Sequence, residues 1–147
     1  MKRFAVLLIA IMLTLSAPAL AGIKGRGDLV TEANTVSTAG GAESFLLNNV
    51  GTTFAYLTTV TSEEVGTASL VITVYNVTPQ GDVLLCTSSA VTTETTTAIL
   101  LGSSVTAASD VDQVCTLPLS RRVKVTFTVT GTTASFDVDS GIEWLGN

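Results

Sequence analysis

Val123-Lys124-Val125-Thr126-Phe127-Thr128-Val129-Thr130 is the stretch that decides how this chain folds. Every second residue is apolar, and the residues between are Lys or Thr. Successive side chains of a strand point to opposite faces, so a repeat of two predicts a half-buried antiparallel strand with one dry side and one wet side. Gly131, Thr132 and Thr133 read as a turn, after which Phe136 and Val138 alternate with Ser135, Asp137 and Asp139. The two runs together predict a hairpin.

The same period spreads outward from this stretch. Leu70 to Val77 is more continuously apolar, as a strand covered on both faces would be, and Thr78-Pro79-Gln80-Gly81-Asp82 supplies a turn into Val83 to Ser88. In that turn Pro presets one dihedral and Gly accepts a positive φ. Further strands are expected at residues 43–50, 53–61, 95–101 and 113–117, with a short last one at 142–145. About eight short strands at regular spacing, with hardly a helical window among them, predict an all-β fold. The expected architecture is a single antiparallel β-sandwich, jelly-roll or immunoglobulin-like, with a closed barrel as the alternative. Short strands without aromatic girdles disfavour an outer-membrane barrel.

Upstream, Lys2 and Arg3 precede an apolar run from Phe4 to Ala19, which ends in Ala19-Leu20-Ala21 before Gly22. A basic start, a short apolar core and small residues at a cleavage site are the marks of a signal peptide, expected here at residues 1–21. The run is too short for a membrane span, so the expectation is an exported, secreted protein with no stable membrane insertion after cleavage. No Cys follows the leader to carry a lipid, and the polar, Gly-rich residues after it do not fit a type IV pilin. Residues 22–41 are expected to be a flexible N-terminal segment outside the core, and residues 42–147 the sandwich domain.

Seven Lys and Arg stand against twelve Asp and Glu, a net charge of -5. Beyond the leader the bases are only Lys24, Arg26, Arg121, Arg122 and Lys124. A phosphate backbone is held by clustered cations, so nucleic acid is excluded as a partner. Cys86 and Cys115 are the only cysteines. In an exported chain they are expected to form one disulfide, worth roughly 3 to 4 kcal/mol for a loop of about thirty residues.

Catalytic chemistry finds no foothold in this composition. With no histidine, Ser-His-Asp and Cys-His arrangements and His-containing zinc sites are excluded. Glu63 and Glu64 are adjacent and would diverge in a strand, so they cannot serve as a glycosidase pair facing one cleft. The protein is therefore expected not to be an enzyme and to hold no cofactor. Calcium is the one metal to weigh, because Asp110 with Asp112, and Asp137 with Asp139, each place two carboxylates on one side of an extended segment. Trp144 has two readings, packing into the core against the opposite sheet, which its setting favours, and stacking on a sugar ring, for which it is a candidate ahead of Tyr56 and Tyr75, which sit in apolar strands. Arg26-Gly27-Asp28 resembles the tripeptide of integrin-binding loops, and Asn76-Val77-Thr78 is a glycosylation sequon followed at once by Pro79.

Thr pairs and runs such as Thr58-Thr59 and Thr95-Thr96-Thr97 favour extended backbone and keep a surface soluble without charge. Edges protected by neither Lys nor Pro, such as Thr95 to Leu101, can accept another strand. Leu29-Val30-Thr31 is the candidate donor, a strand given to a neighbouring subunit. An exported, Thr- and Val-rich sandwich with a detachable leading segment is similar in general character to subunits of donor-strand filaments and to small virion-surface sandwiches. The expected function is a secreted structural subunit that assembles with itself or on a larger surface. The alternative is an adhesion or carbohydrate-binding module with a glycan as partner.

Overall fold

The computed structural model describes residues 26–49, 51–103 and 110–145, and the expected signal peptide lies outside them. Seven strands follow in chain order: β1 (Arg26–Ser37), β2 (Glu43–Asn48), β3 (Phe54–Thr78), β4 (Gly81–Thr87), β5 (Thr95–Gly102), β6 (Gln113–Cys115) and β7 (Arg122–Leu145). All belong to one sheet, which bends over on itself so that its two halves face each other across a single core. The fold is the expected all-β sandwich, with a barrel-like sheet.

The spine is β3 paired antiparallel with β7 along nearly their whole length, from Phe54 opposite Leu145 to Asn76 opposite Val123. In the first half-sheet, β1 flanks the C-terminal half of β7, and β5 and then β6 flank the N-terminal half of β3. In the second, β2 flanks the N-terminal half of β7 and β4 flanks the C-terminal half of β3. Alternation sends Leu57, Ile99, Phe136, Ile142 and Trp144 inward from the first half and Leu70, Ile72, Val125 and Phe127 from the second.

Two sequence expectations are corrected by this spine. Residues 53–61 and 70–77 are not separate strands but parts of β3, and Gly131 does not reverse the chain, because β7 runs through it without a hairpin. The register slips between Ser62 and Val65 and again between Val65 and Thr67, where the opposing strand carries Gly131 and Thr133 at positive φ. Bulges on both strands bend the ladder as a unit. Gly66 and Gly131 are required there: added Cβ atoms would lie 3.0 Å and 2.1 Å from backbone oxygens of the opposite strand.

The antiparallel expectation is also corrected at one place, since β6 runs parallel to β5 over Ile99–Leu101. The Pro79-Gln80 turn joins β3 to β4 as the sequence indicates, with Thr78 opposite Gly81. The expected disulfide is present between Cys86 of β4 and Cys115 of β6, with Cα atoms 5.7 Å apart. It ties the outer strand of one half-sheet to the outer strand of the other. The bridge between Leu70 and Val91 reinforces the same side.

Thr59 and Ser140 share a hydrogen bond of 2.9 Å, and Ser140 also donates to the Thr58 carbonyl. Among the described residues no buried side-chain polar atom lacks a partner. At the other end of the molecule Asn49 gathers the chain: its amide donates to the Thr52 and Ser120 carbonyls and its Oδ1 accepts from the Gly51 and Thr52 amides.

Two predictions follow from the bend and the tie. Gly131→Val forces a side chain into the Thr67 carbonyl at a positive φ and is expected to cost about 3 kcal/mol or more in chemical denaturation, against little change for Thr130→Val nearby. Replacing Cys86 and Cys115 together with Ser is expected to lower stability by about 3 kcal/mol in chemical denaturation, with a lower midpoint and a somewhat steeper slope, because the unlinked chain unfolds to a more expanded state.

Candidate assembly surfaces

The segment expected to be a tail is an edge strand. β1 pairs with β7, Leu29 opposite Gly141 and Thr31 opposite Ser140, and it places Val30 and Val36 in the core. The expectation of a flexible segment outside the core is therefore corrected for residues 26–37. Within the donor candidate, Val30 and Thr31 are buried while Leu29 is 65% exposed. Two register shifts, either side of Thr31, break the strand period and hid this strand from a reading of periodicity.

Trp144 faces inward and is fully buried, as its core reading expects, and its alternative role in stacking on a sugar is corrected. Its indole N–H donates to Oδ2 of Asp28 at 2.7 Å. This bond fastens β1 to the last turn of the ladder, and it also engages the Arg26-Gly27-Asp28 tripeptide in paired strand rather than in a loop. Asn76 is likewise occupied: its amide donates to the Pro118 carbonyl and its Oδ1 accepts from the Ser120 amide, both at 2.8 Å.

The two aspartate pairs are dispersed. Asp112 accepts from the Ala98 amide, and Asp137 accepts from the Thr35 hydroxyl, while Asp139 lies on the exposed side of β7. Among the described residues no three Asp, Glu, Cys or His side chains gather as metal ligands. Asp110 and Asp112 instead act on Tyr56, whose hydroxyl donates to the Asp110 carbonyl at 3.4 Å. Partial burial first, and then the Asp110 and Asp112 carboxylates, hold the Tyr56 phenol above its ordinary value.

The β5 edge is less open than its sequence implies. β3 lies along one side, β6 covers Ile99–Leu101, and the main chain and carboxylate of Asp112 bond both backbone groups of Ala98. What stays without a neighbouring strand is Thr95–Thr97, beside a hydroxyl-lined hollow of about 230 Å³ bounded by Ser88 and Thr92.

The outward faces of the two half-sheets differ in kind. On the second half, one cross-strand row runs Leu46, Lys124, Tyr75, Leu84 over β2, β7, β3 and β4. The Lys124 ammonium lies over the Tyr75 ring, 4.6 Å from its centre, and pairs with Asp82. Leu46 and Leu84 at the two ends of the row are about half exposed. The next row, Ser44, Thr126, Thr73, Thr87, is wholly hydroxylic. On the first half the corresponding row is Leu29, Gly141, Thr58, where the missing side chain at Gly141 leaves a shallow trough of about 400 Å³. Asp137, Asp139 and Glu143 project from β7 on this face, alternating with its inward residues.

No protein-family model matches the chain, and no curated protein matches it. Among solved structures, the infectious bursal disease virus Gx strain overlays with a TM-score of 0.49 at 15% identity, covering 82% of this chain and 32% of that one. The Gt strain structure gives 0.42 at 16% identity, with 84% and 34% covered, and the VP2 subviral particle of the same virus gives 0.43 at 14%, with 83% and 32% covered. The chain thus spans about a third of the length of each. Overlaps below 0.5 at such identities decide nothing about function.

The surroundings of Tyr56 predict a pH effect. Above the ordinary phenol value of about 10 the unfolded chain releases a proton that the folded chain still holds. Stability is therefore expected to fall as pH rises toward the folded value, less so in Tyr56→Phe. Ultraviolet titration should show one tyrosine ionising late, and Asp110→Asn with Asp112→Asn should bring it earlier.

Proposed function

We propose that this chain is an exported, non-enzymatic structural subunit that assembles with further copies of itself, with β1 as the exchangeable strand. The observation that carries the proposal is the attachment of β1. It lies at an edge, meets the sheet through β7, and is joined to β2 through Gly40 and Gly41, the latter at positive φ. Its contribution to the core is nonetheless real, through Val30, Val36 and the Asp28–Trp144 bond. A strand of this kind satisfies β7 equally well when it comes from a neighbour, since the same ladder and the same apolar contacts are remade between chains. What changes is only the path of the short connection.

Strand exchange is a low-cost route to association because its contacts are native ones. Export suits such a subunit, since a disulfide-tied sandwich without reactive groups is stable where thiols are oxidised.

The test is a cysteine pair across the β1–β7 ladder. Thr35 and Asp137 are opposed in register and hydrogen-bonded at 2.5 Å on the outer face, so Thr35→Cys with Asp137→Cys can bridge with little disturbance. In oxidised assemblies of residues 22–147 strand exchange yields a ladder of covalent oligomers on a non-reducing gel. A single covalent monomer band from the same assemblies rules the exchange out, and mature protein that stays monomeric at every concentration rules out self-assembly.

A further inference from the structure

We infer that the two outer faces of the sandwich are complementary docking surfaces for one another, so that successive copies stack head to tail with the second half-sheet of one on the first half-sheet of the next. The inference rests on the self-assembly reading and adds to it a contact distinct from β1 exchange.

Charge selects the occupant. Asp137, Asp139 and Glu143 give the first face three carboxylates, and among the described side chains no base projects from its strands. On the second face Arg122 and Lys124 project outward from β7 against one acid, Asp82. Two copies of the first face repel each other, whereas first against second attracts. Relief points the same way. The trough at Gly141, walled by Leu29, offers a seat for an apolar side chain, and Leu46 and Leu84 stand about half exposed on the opposite face, either side of the Lys124–Tyr75 pair. A lone exposed leucine is ordinary, but leucines ordered in one cross-strand row on one face and a trough walled by Leu29 on the other form two patches that fit each other.

The contact is heterologous, since different surfaces of the two copies meet. Unless the rotation between neighbours closes a ring, repetition builds an open stack.

The test uses the mature, oxidised chain and light scattering across a concentration series. Glu143→Arg alone and Arg122→Glu alone are each expected to raise the concentration needed for association about tenfold, and the two together in one chain to restore it. Gly141→Leu is expected to raise that concentration about tenfold as well, with little change in melting temperature, because a Cβ at this position meets nothing nearer than the Asp28 carbonyl at 3.9 Å. Association should also weaken as salt is raised. Wild-type protein that associates while all three single variants associate equally well overturns the face pairing and leaves self-assembly standing. Wild-type protein that stays single throughout overturns both, and leaves the two faces to a different kind of molecule.

Discussion

The ladder between β3 and β7, and the bend that both strands take together, is the constraint on which the rest of the molecule depends. Each strand is long enough to serve both half-sheets, so every other strand is placed by which half of the spine it joins. The bend is possible because Gly66, Gly131 and Thr133 adopt positive φ at facing positions, letting the register slip without ending the pairing. Were the ladder straight, the inward residues of the two halves would lie on one flat face with no opposite wall. Bent, Phe127 and Trp144 of the same strand come to line the same core.

A sheet folded in this way has two open sides, and the chain treats them differently. On one side Cys86–Cys115 joins the halves covalently, and the Leu70–Val91 bridge holds the β4–β5 connection against β3. On the other, β1 and β2 meet at a corner where the Asn34 amide donates to Glu43 and the Thr38 amide to the Ala134 carbonyl. Hydrogen bonds can be remade with another molecule and a disulfide cannot be without exchange chemistry. The proposed exchange of β1 therefore falls on the second side.

Alternation in Val123 to Thr130, the Pro79 turn and the cysteine pair were legible because each depends on local chemistry. The continuity of β7 was not. Gly131 between threonines has the same local signature whether the chain reverses or merely bulges, and the choice is made by β3, which carries its own glycine opposite. β1 was legible only at Leu29-Val30-Thr31 for a related reason, since bulges on both sides of Thr31 erase the period that identifies a strand. Trp144 was within reach: Ile142 and Trp144 alternate with Glu143 and continue the inward series of Phe136 and Val138. An aromatic ring suits a ligand face as well as a core, and its position in this alternation favours the core. The partner it finds in Asp28 had no signal in the sequence, because 116 residues separate the two and only the fold unites them.

Because β7 passes through both half-sheets, the order of charges along it becomes a polarity across the molecule. Its first residues carry Arg122 and Lys124 outward on one face, and its later ones carry Asp137, Asp139 and Glu143 outward on the other. Reversing the strand in space would not remove this difference; only moving the charges along the sequence would. A molecule whose opposite faces differ in sign gains nothing from a two-fold contact between like faces and gains from translation, each copy presenting to the next the face that the last one met. The proposed exchange of β1 runs along an edge and the proposed stacking runs through the faces, so the two contacts would act in different directions on the same subunit, the first linking copies within a row and the second setting rows upon one another.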